Sequence, residues 1–262
     1  LPSLGYAYDG LGSVANGRSV AAIVSVMNEE TNIVNVLEQL NRLPLDELIV
    51  IVNNSQDGTF EKVKMHSDAL IVHYTDPLGH DVGRVVGAEL SNSDILLFVD
   101  GDFVVQAEDL IPFIHDIDRG ADVALNNITP FLPRFSLWDS DTVMKKFLNT
   151  SLKRSDLNAN SLTAVPHAIS RKALQQISCS MLQIPPKAQA AAILSGLRIK
   201  SSASINVISG NKNRKQNQRV DNPISRLIIG DHIEALQHAL QAKGKRILFP
   251  DIIRKREFLK GG

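Results

Sequence analysis

Short apolar runs alternate with amphipathic stretches through the first half of the chain. Ala21 to Met27 predicts a strand, and Glu30 to Leu40 a helix whose Ile33, Val34, Val36, Leu37 and Leu40 recur at helical spacing. Leu48 to Val52 predicts a second strand, followed by the loop Asn53 to Gly58 and a helix from Thr59. Leu70 to His73 reads as a third strand and Asp81 to Leu90 as a third helix. Ile95 to Val99 is a fourth strand and Asp122 to Asn126 a fifth. Uninterrupted apolar strands separated by helices are the mark of a mostly parallel sheet covered on both faces, and such sheets bind ligands at the carboxyl ends of their strands. The second half is less regular. Ser140 to Leu148, Arg171 to Ile177 and Lys187 to Leu194 read as helices, and Ser161 to Ile169 as a strand. Asn211 to Asp221 is polar, basic and aperiodic, and reads as a mobile loop. Asn222 and Pro223 then form a good helix start, with the helix running to Ala242.

Composition narrows the class. The 262 residues are 44% apolar and contain one cysteine, which excludes a disulfide scaffold and provides for a sizeable core. Apolar runs such as Leu48 to Val52 are five residues long, against roughly 20 needed to span a bilayer. No secretory signal is visible in the first residues, so a cytoplasmic location is expected. The 28 basic and 28 acidic side chains cancel, but unevenly along the chain. Residues 1–210 carry 16 basic and 23 acidic groups, and residues 211–262 carry 12 and 5. The expected organisation is therefore one α/β domain over 1–210, with a basic loop and helical extension over 211–262 packed on it. A basic tail suits intramolecular pairing, an anionic ligand or peripheral contact with a membrane surface; nothing points to nucleic acid.

The chemistry concentrates where three strands end: Ser25 to Glu30, Asn53 to Thr59, and Asp100-Gly101-Asp102. Two carboxylates one residue apart, directly after a strand, suit a hard divalent cation. These segments resemble the nucleotide-sugar glycosyltransferases of family 2, with the GT-A fold. The resemblance rests on AAIVSVMNEETNIVNVLEQL, ELIVIVNNSQDGT and GHDVGRVVGAELSNSDILLFVDGD. It implies a sugar transfer from a nucleoside-diphosphate sugar, a UDP-sugar above all, to an acceptor hydroxyl, metal-dependent and inverting. It implies a base site at Ser25, Met27 and Asn28 with Asn53 or Asn54, and Arg84 along the base or diphosphate. It also implies Mg²⁺ or Mn²⁺ at Asp100 and Asp102.

The resemblance supplies no catalytic base. The stretch matching the family's acidic pair, Leu182 to Lys187, contains no acid. Asp139 and Asp141 are substitutes, although capping of the following helix also accounts for them. His167 falls where the family builds the acceptor wall and is a candidate hydrogen-bonding or acid–base group there, with a satisfied structural histidine as the other reading. His232, on the apolar stripe of the last helix beside Asp231, is either a third metal ligand or a packed residue. Gln216 to Val220 resembles part of the Gln-x-x-Arg-Trp element of processive members, and Lys212, Arg214, Lys215 and Arg219 form a candidate lid over the diphosphate. Two other functions stand beside the first: a retaining GT-A transferase or a sugar nucleotidyltransferase, and a catalytically silent nucleotide-binding or scaffold protein, with an oligomer open to each.

Overall fold

The computed structural model describes residues 15–208 and 223–254. The Lys212 to Arg219 loop and the last basic residues, Lys255 to Lys260, lie outside them.

Among the described residues, seven strands form one sheet. They are β1 (Val20–Val26), β2 (Glu47–Asn53), β3 (Leu70–Tyr74), β4 (Ile95–Asp100), β5 (Val123–Leu125), β6 (His167–Ser170) and β7 (Ile199–Ser201). Their order is β3-β2-β1-β4-β6-β5-β7. All neighbours are parallel except β6, which runs antiparallel to both β4 and β5. The helices are α1 (Ile33–Leu40), α2 (Thr59–His66), α3 (Val82–Leu90), α4 (Ala107–Asp118), α5 (Ser140–Ser151), α6 (Arg171–Ile177), α7 (Pro185–Leu194) and α8 (Pro223–Lys243).

The alternation of side chains along β4 divides the core. Ile95, Leu97 and Val99 pack with Val36 and Leu37 of α1 and with Leu110, Phe113 and Ile117 of α4. Leu96 and Phe98 face the other way, among Ala88 of α3, Leu174 of α6 and Ala188 of α7. Both faces are covered, which is why β4 reads as an unbroken apolar run. A third, smaller cluster joins α8 to the body: Ala235 and Ala239 pack with Leu148 of α5, with Leu152 at its C-cap and with Ala190 of α7.

Several boundaries differ from the sequence expectations. The first helix begins at Ile33, with Asn32 at its N-cap, because Glu29 to Thr31 are spent on a turn. The strand expected over Ser161 to Ile169 is confined to His167–Ser170, and a cis peptide joins Val165 to Pro166 before it. Two elements lay outside the sequence reading. Strand β7 has only three residues, and α4 carries Pro112 in its interior, a residue that ordinarily ends a helix pattern.

Candidate active site at the switch between β1 and β4

From β1 the chain proceeds outward through β2 to β3, then returns to place β4 on the other side of β1. The carboxyl ends of β1 and β4 therefore flank the point where strand order reverses, the usual ligand crevice of an open α/β sheet. Ser25 lies in register with Asp100, and the Gly101 N–H donates to the Ser25 carbonyl at 3.0 Å. A Cβ on Gly101 would lie 2.7 Å from Val26, so the turn carrying Asp100 and Asp102 can press against β1 only with glycine between them. The Asp100 side chain is 39% exposed.

The loops after β1 and β2 are laced together. Asn28, at φ +55°, accepts from the Gln56 N–H at 2.8 Å and donates its own N–H to the Ser55 hydroxyl at 3.1 Å. Thr59 Oγ1 accepts from the Glu29 N–H, and Glu30 Oε2 accepts from the Gly58 N–H. Asp57 accepts from the Glu30 N–H and from Thr59. Burial opposes ionisation of Asp57, but these hydrogen bonds outweigh it and hold the carboxyl below its ordinary range. Met27 stands half exposed on this loop. The Asn53 side chain is committed elsewhere, accepting from the Leu78 N–H at 2.8 Å and donating to the Gly79 carbonyl at 3.3 Å. Asn54, at φ +50°, accepts from Gln56 Nε2. Ser25 Oγ is buried without a hydrogen-bond partner, and a Cβ on Gly83 would come within 2.7 Å of it.

Arg84 is only 7% exposed. Its Nη1 is 2.9 Å from Asp81 Oδ1 and donates to the Leu162 carbonyl at 3.2 Å, while Nη2 is 3.8 Å from Asp100 Oδ1. Below it, His167 is buried against Phe98, with Nδ1 3.1 Å from the Ala164 carbonyl. A carbonyl only accepts, so Nδ1 carries the proton and Nε2 the lone pair. Nε2 has no partner. Burial, and then the Arg84 charge, push the imidazole pKa down to about 3 despite the Ala164 hydrogen bond, so the ring is neutral.

Asp139 is the N-cap of α5 and accepts from the Thr142 N–H at 2.8 Å. Asp141 accepts from the Ser225 hydroxyl of α8 at 2.6 Å, and burial raises its pKa in spite of that bond and of Lys145. His232 is fully buried in the helical layer, with Nδ1 2.7 Å from the Ile228 carbonyl, and burial takes its pKa down to about 4. Among the described residues no cluster of three or more His, Cys, Asp and Glu side chains is placed to hold a metal. The acid-free stretch Leu182 to Lys187 forms a short 3₁₀ turn and the start of α7, where Lys187 meets Glu234 of α8 at 2.6 Å. Asp81, which the sequence marked only as a helix start, is the residue sequence reasoning missed. Its signal was its position three residues before Arg84.

An open α/β sheet with paired carboxylates and a buried arginine at its switch point offers a crevice suited to a phosphate-bearing ligand. The chain belongs to glycosyl transferase family 2, whose family model matches residues 21–177 and so includes Ser25, Arg84, Asp100, Asp102 and His167. It is accordingly a nucleotide-sugar glycosyltransferase. Among solved structures, the chain is similar to glucosyl-3-phosphoglycerate synthase from Mycobacterium tuberculosis. The complex of that enzyme with Mn²⁺ and UDP-glucose is 17% identical, with a TM-score of 0.60 over 95% of this chain and 86% of that one. Its complex with Mn²⁺, UDP and phosphoglyceric acid is 16% identical, with a TM-score of 0.61 over 95% and 85%. Its complex with Mg²⁺ and UDP is 15% identical, with a TM-score of 0.59 over 95% and 86%. At these identities the likeness is one of fold. No curated protein sequence matches the chain. Among the described residues no helix is long and apolar enough to cross a membrane.

Proposed function

We propose that the crevice between β1 and β4 binds a UDP-sugar and that the chain transfers the sugar to an acceptor hydroxyl, with inversion as in family 2. The observation that carries this reading is the register of Ser25 with Asp100, which sets the Asp100–Asp102 pair beside the laced loops Met27 to Glu30 and Asn54 to Thr59. Met27, Asn28 and Asn54 line the base side, while Ser25 and Asn53 support it from beneath. Arg84 supplies a fixed positive charge toward the diphosphate.

Two carboxylates one residue apart fit Mg²⁺ or Mn²⁺, which commonly take one or two carboxylates and complete their shell with substrate phosphate and water. Asp100 and Asp102 would hold the ion. The chemistry such an ion would supply there is positive charge against the leaving nucleoside diphosphate. The similar M. tuberculosis enzyme carries Mn²⁺ or Mg²⁺ with UDP, which supports the same pairing here.

Asp139 is committed to its cap, Asp141 to Ser225, and Leu182 to Lys187 is acid-free. That favours, as the second reading, transfer with retention, which needs no carboxylate base on the acceptor side. The anomeric configuration of the product by NMR decides between the two. The donor-site reading itself is tested by thermal shift with UDP and UDP-sugars, with and without Mn²⁺. Stabilisation that depends on Mn²⁺ is expected, with that dependence lost in Asp102→Ala. No response to any nucleotide would sink it.

A further inference from the structure

Residues 158–166 lead into β6 without helix or strand of their own, yet Asn160, Ser161 and Leu162 are at most 2% exposed. Buried irregular backbone needs partners for its polar groups, and here side-chain amides from two helices supply them. Asn149 of α5 donates from Nδ2 to the Asn158 and Asn160 carbonyls at 2.9 and 3.0 Å. Gln189 of α7 is buried beside it. Its Nε2 donates to Asn149 Oδ1 at 2.6 Å and to the Asn160 carbonyl at 3.2 Å, and its Oε1 accepts from the Leu162 N–H at 2.8 Å. The other side of the same loop meets the site. The Leu162 carbonyl accepts from Arg84 Nη1 at 3.2 Å, and the Ala164 carbonyl holds His167 Nδ1. Leu162 thus carries Gln189 on its N–H and Arg84 on its carbonyl, with its side chain in the core cluster that contains Leu174 and Ala188.

We propose that Gln189 is a positioning residue for the donor site: by fixing Leu162 it sets the carbonyl that directs the Arg84 guanidinium toward the diphosphate. The Leu162 N–H is shut off from bulk water, so removal of Gln189 Oε1 leaves it unpaired, and the loop shifts to find it another partner. That shift carries the carbonyl off Arg84. A guanidinium pairs with phosphate through a planar fork, so a misdirected one loses affinity although its charge stays in place. The proposal rests on the donor-site reading above and assigns to it a residue of α7.

The test is UDP binding to the full chain by isothermal titration calorimetry in the presence of Mn²⁺. Gln189→Leu, close in volume and without a hydrogen-bonding side-chain atom, should raise the UDP dissociation constant about tenfold, within the range by which residues that do not touch a ligand alter its affinity. Leu43→Ala, in the core just before β2, is the control for lost stability. It should lower Tm and leave UDP affinity as in the wild type. An unchanged dissociation constant in Gln189→Leu would overturn the proposal. So would an equal rise in Leu43→Ala, which would mark a general loosening of the fold. If Gln189→Leu does not fold, Gln189→Asn carries the same test, since it keeps an amide in the buried network and is one methylene too short for Leu162. The same rise is expected of it, and its absence has the same meaning. A wild-type protein that does not bind UDP would remove the donor-site reading, and the role of Gln189 with it. UDP binding in the wild type that the Gln189 variants leave unaltered removes the role of Gln189 alone.

Discussion

The imidazole of His167 lies against the ring of Phe98, 5.1 Å between centroids, across the antiparallel pairing of β6 with β4. Phe98 is two residues before Asp100, so the histidine helps support the strand end that carries the site. Its burial makes the fold acid-sensitive. The folded pKa, about 3, lies below the ordinary value of 6.5, so between these values the unfolded chain binds the extra proton. Stability is therefore full above about pH 6.5 and falls as pH drops toward 3. His167→Asn keeps a donor for the Ala164 carbonyl and does not titrate. It should cost about 2 kcal/mol at pH 7 through the lost ring contact and the cavity, and that gap should close by pH 4 in urea unfolding. A gap independent of pH would contradict the neutral, buried assignment.

Asp231 on α8 behaves in the opposite sense. Burial, then the charges of Asp81 and Glu234, raise its pKa to about 6, with His80 opposing. The folded state therefore holds the proton more tightly than the unfolded one, and stability falls as pH rises from about 4 to about 6. Because the group is partly exposed, solvent screening brings the penalty at neutral pH to about 1 kcal/mol or less. Asp231→Asn should raise Tm by about 2–4 °C at pH 7.5 and leave it unchanged at pH 4. A lower Tm at pH 7.5 would show the carboxylate to be a stabilising partner.

Gly87 is the closest approach of α3 to the sheet. A Cβ there would lie 2.3 Å from Ile23 Cγ2, inside a core that is fully buried. Gly87→Ala should cost about 1–3 kcal/mol despite its better helix propensity. Combining it with Ile23→Ala, which removes the colliding methyl, should cost less than the sum of the two single changes. Strict additivity in denaturant titrations would rule out the collision.

Asn126 closes the end of β5 onto residue 205 by two buried hydrogen bonds. Its Nδ2 donates to the Ile205 carbonyl at 3.0 Å, and its Oδ1 accepts from the Ile205 N–H at 2.9 Å. Asn126→Ala leaves the Ile205 N–H unpaired and its carbonyl with the Val207 N–H alone, for a loss of about 1–3 kcal/mol. Amide exchange at Ile205 should speed up out of proportion to the global change. Uniform acceleration across the sheet would mean that this anchor carries only global stability.

The strands β1, β2 and β4 were legible because each is covered on both faces and must be apolar throughout, a local demand visible in five or six consecutive letters. The same held for Asp139 as a helix cap, which depends only on residues three positions apart. Helix α4 was hidden by Pro112, and β7 by its three-residue length. The antiparallel direction of β6 was also hidden, because a short buried strand has the same composition whichever way it runs.

Sequence alone determined the alternation of elements, the family resemblance, and the placement of Asp100-Gly101-Asp102 directly after a buried strand. These follow from side-chain periodicity and from motifs contiguous in the chain. Tertiary structure decided which distant charges meet. It set Arg84 between Asp81 and Asp100, committed Asn53 to the Leu78–Gly79 turn, and enclosed His232 in the helical layer. Those outcomes depend on how closely α3 approaches β1 and on where α8 packs. Both are set by the fit of surfaces brought together from separate parts of the chain, which no local pattern records.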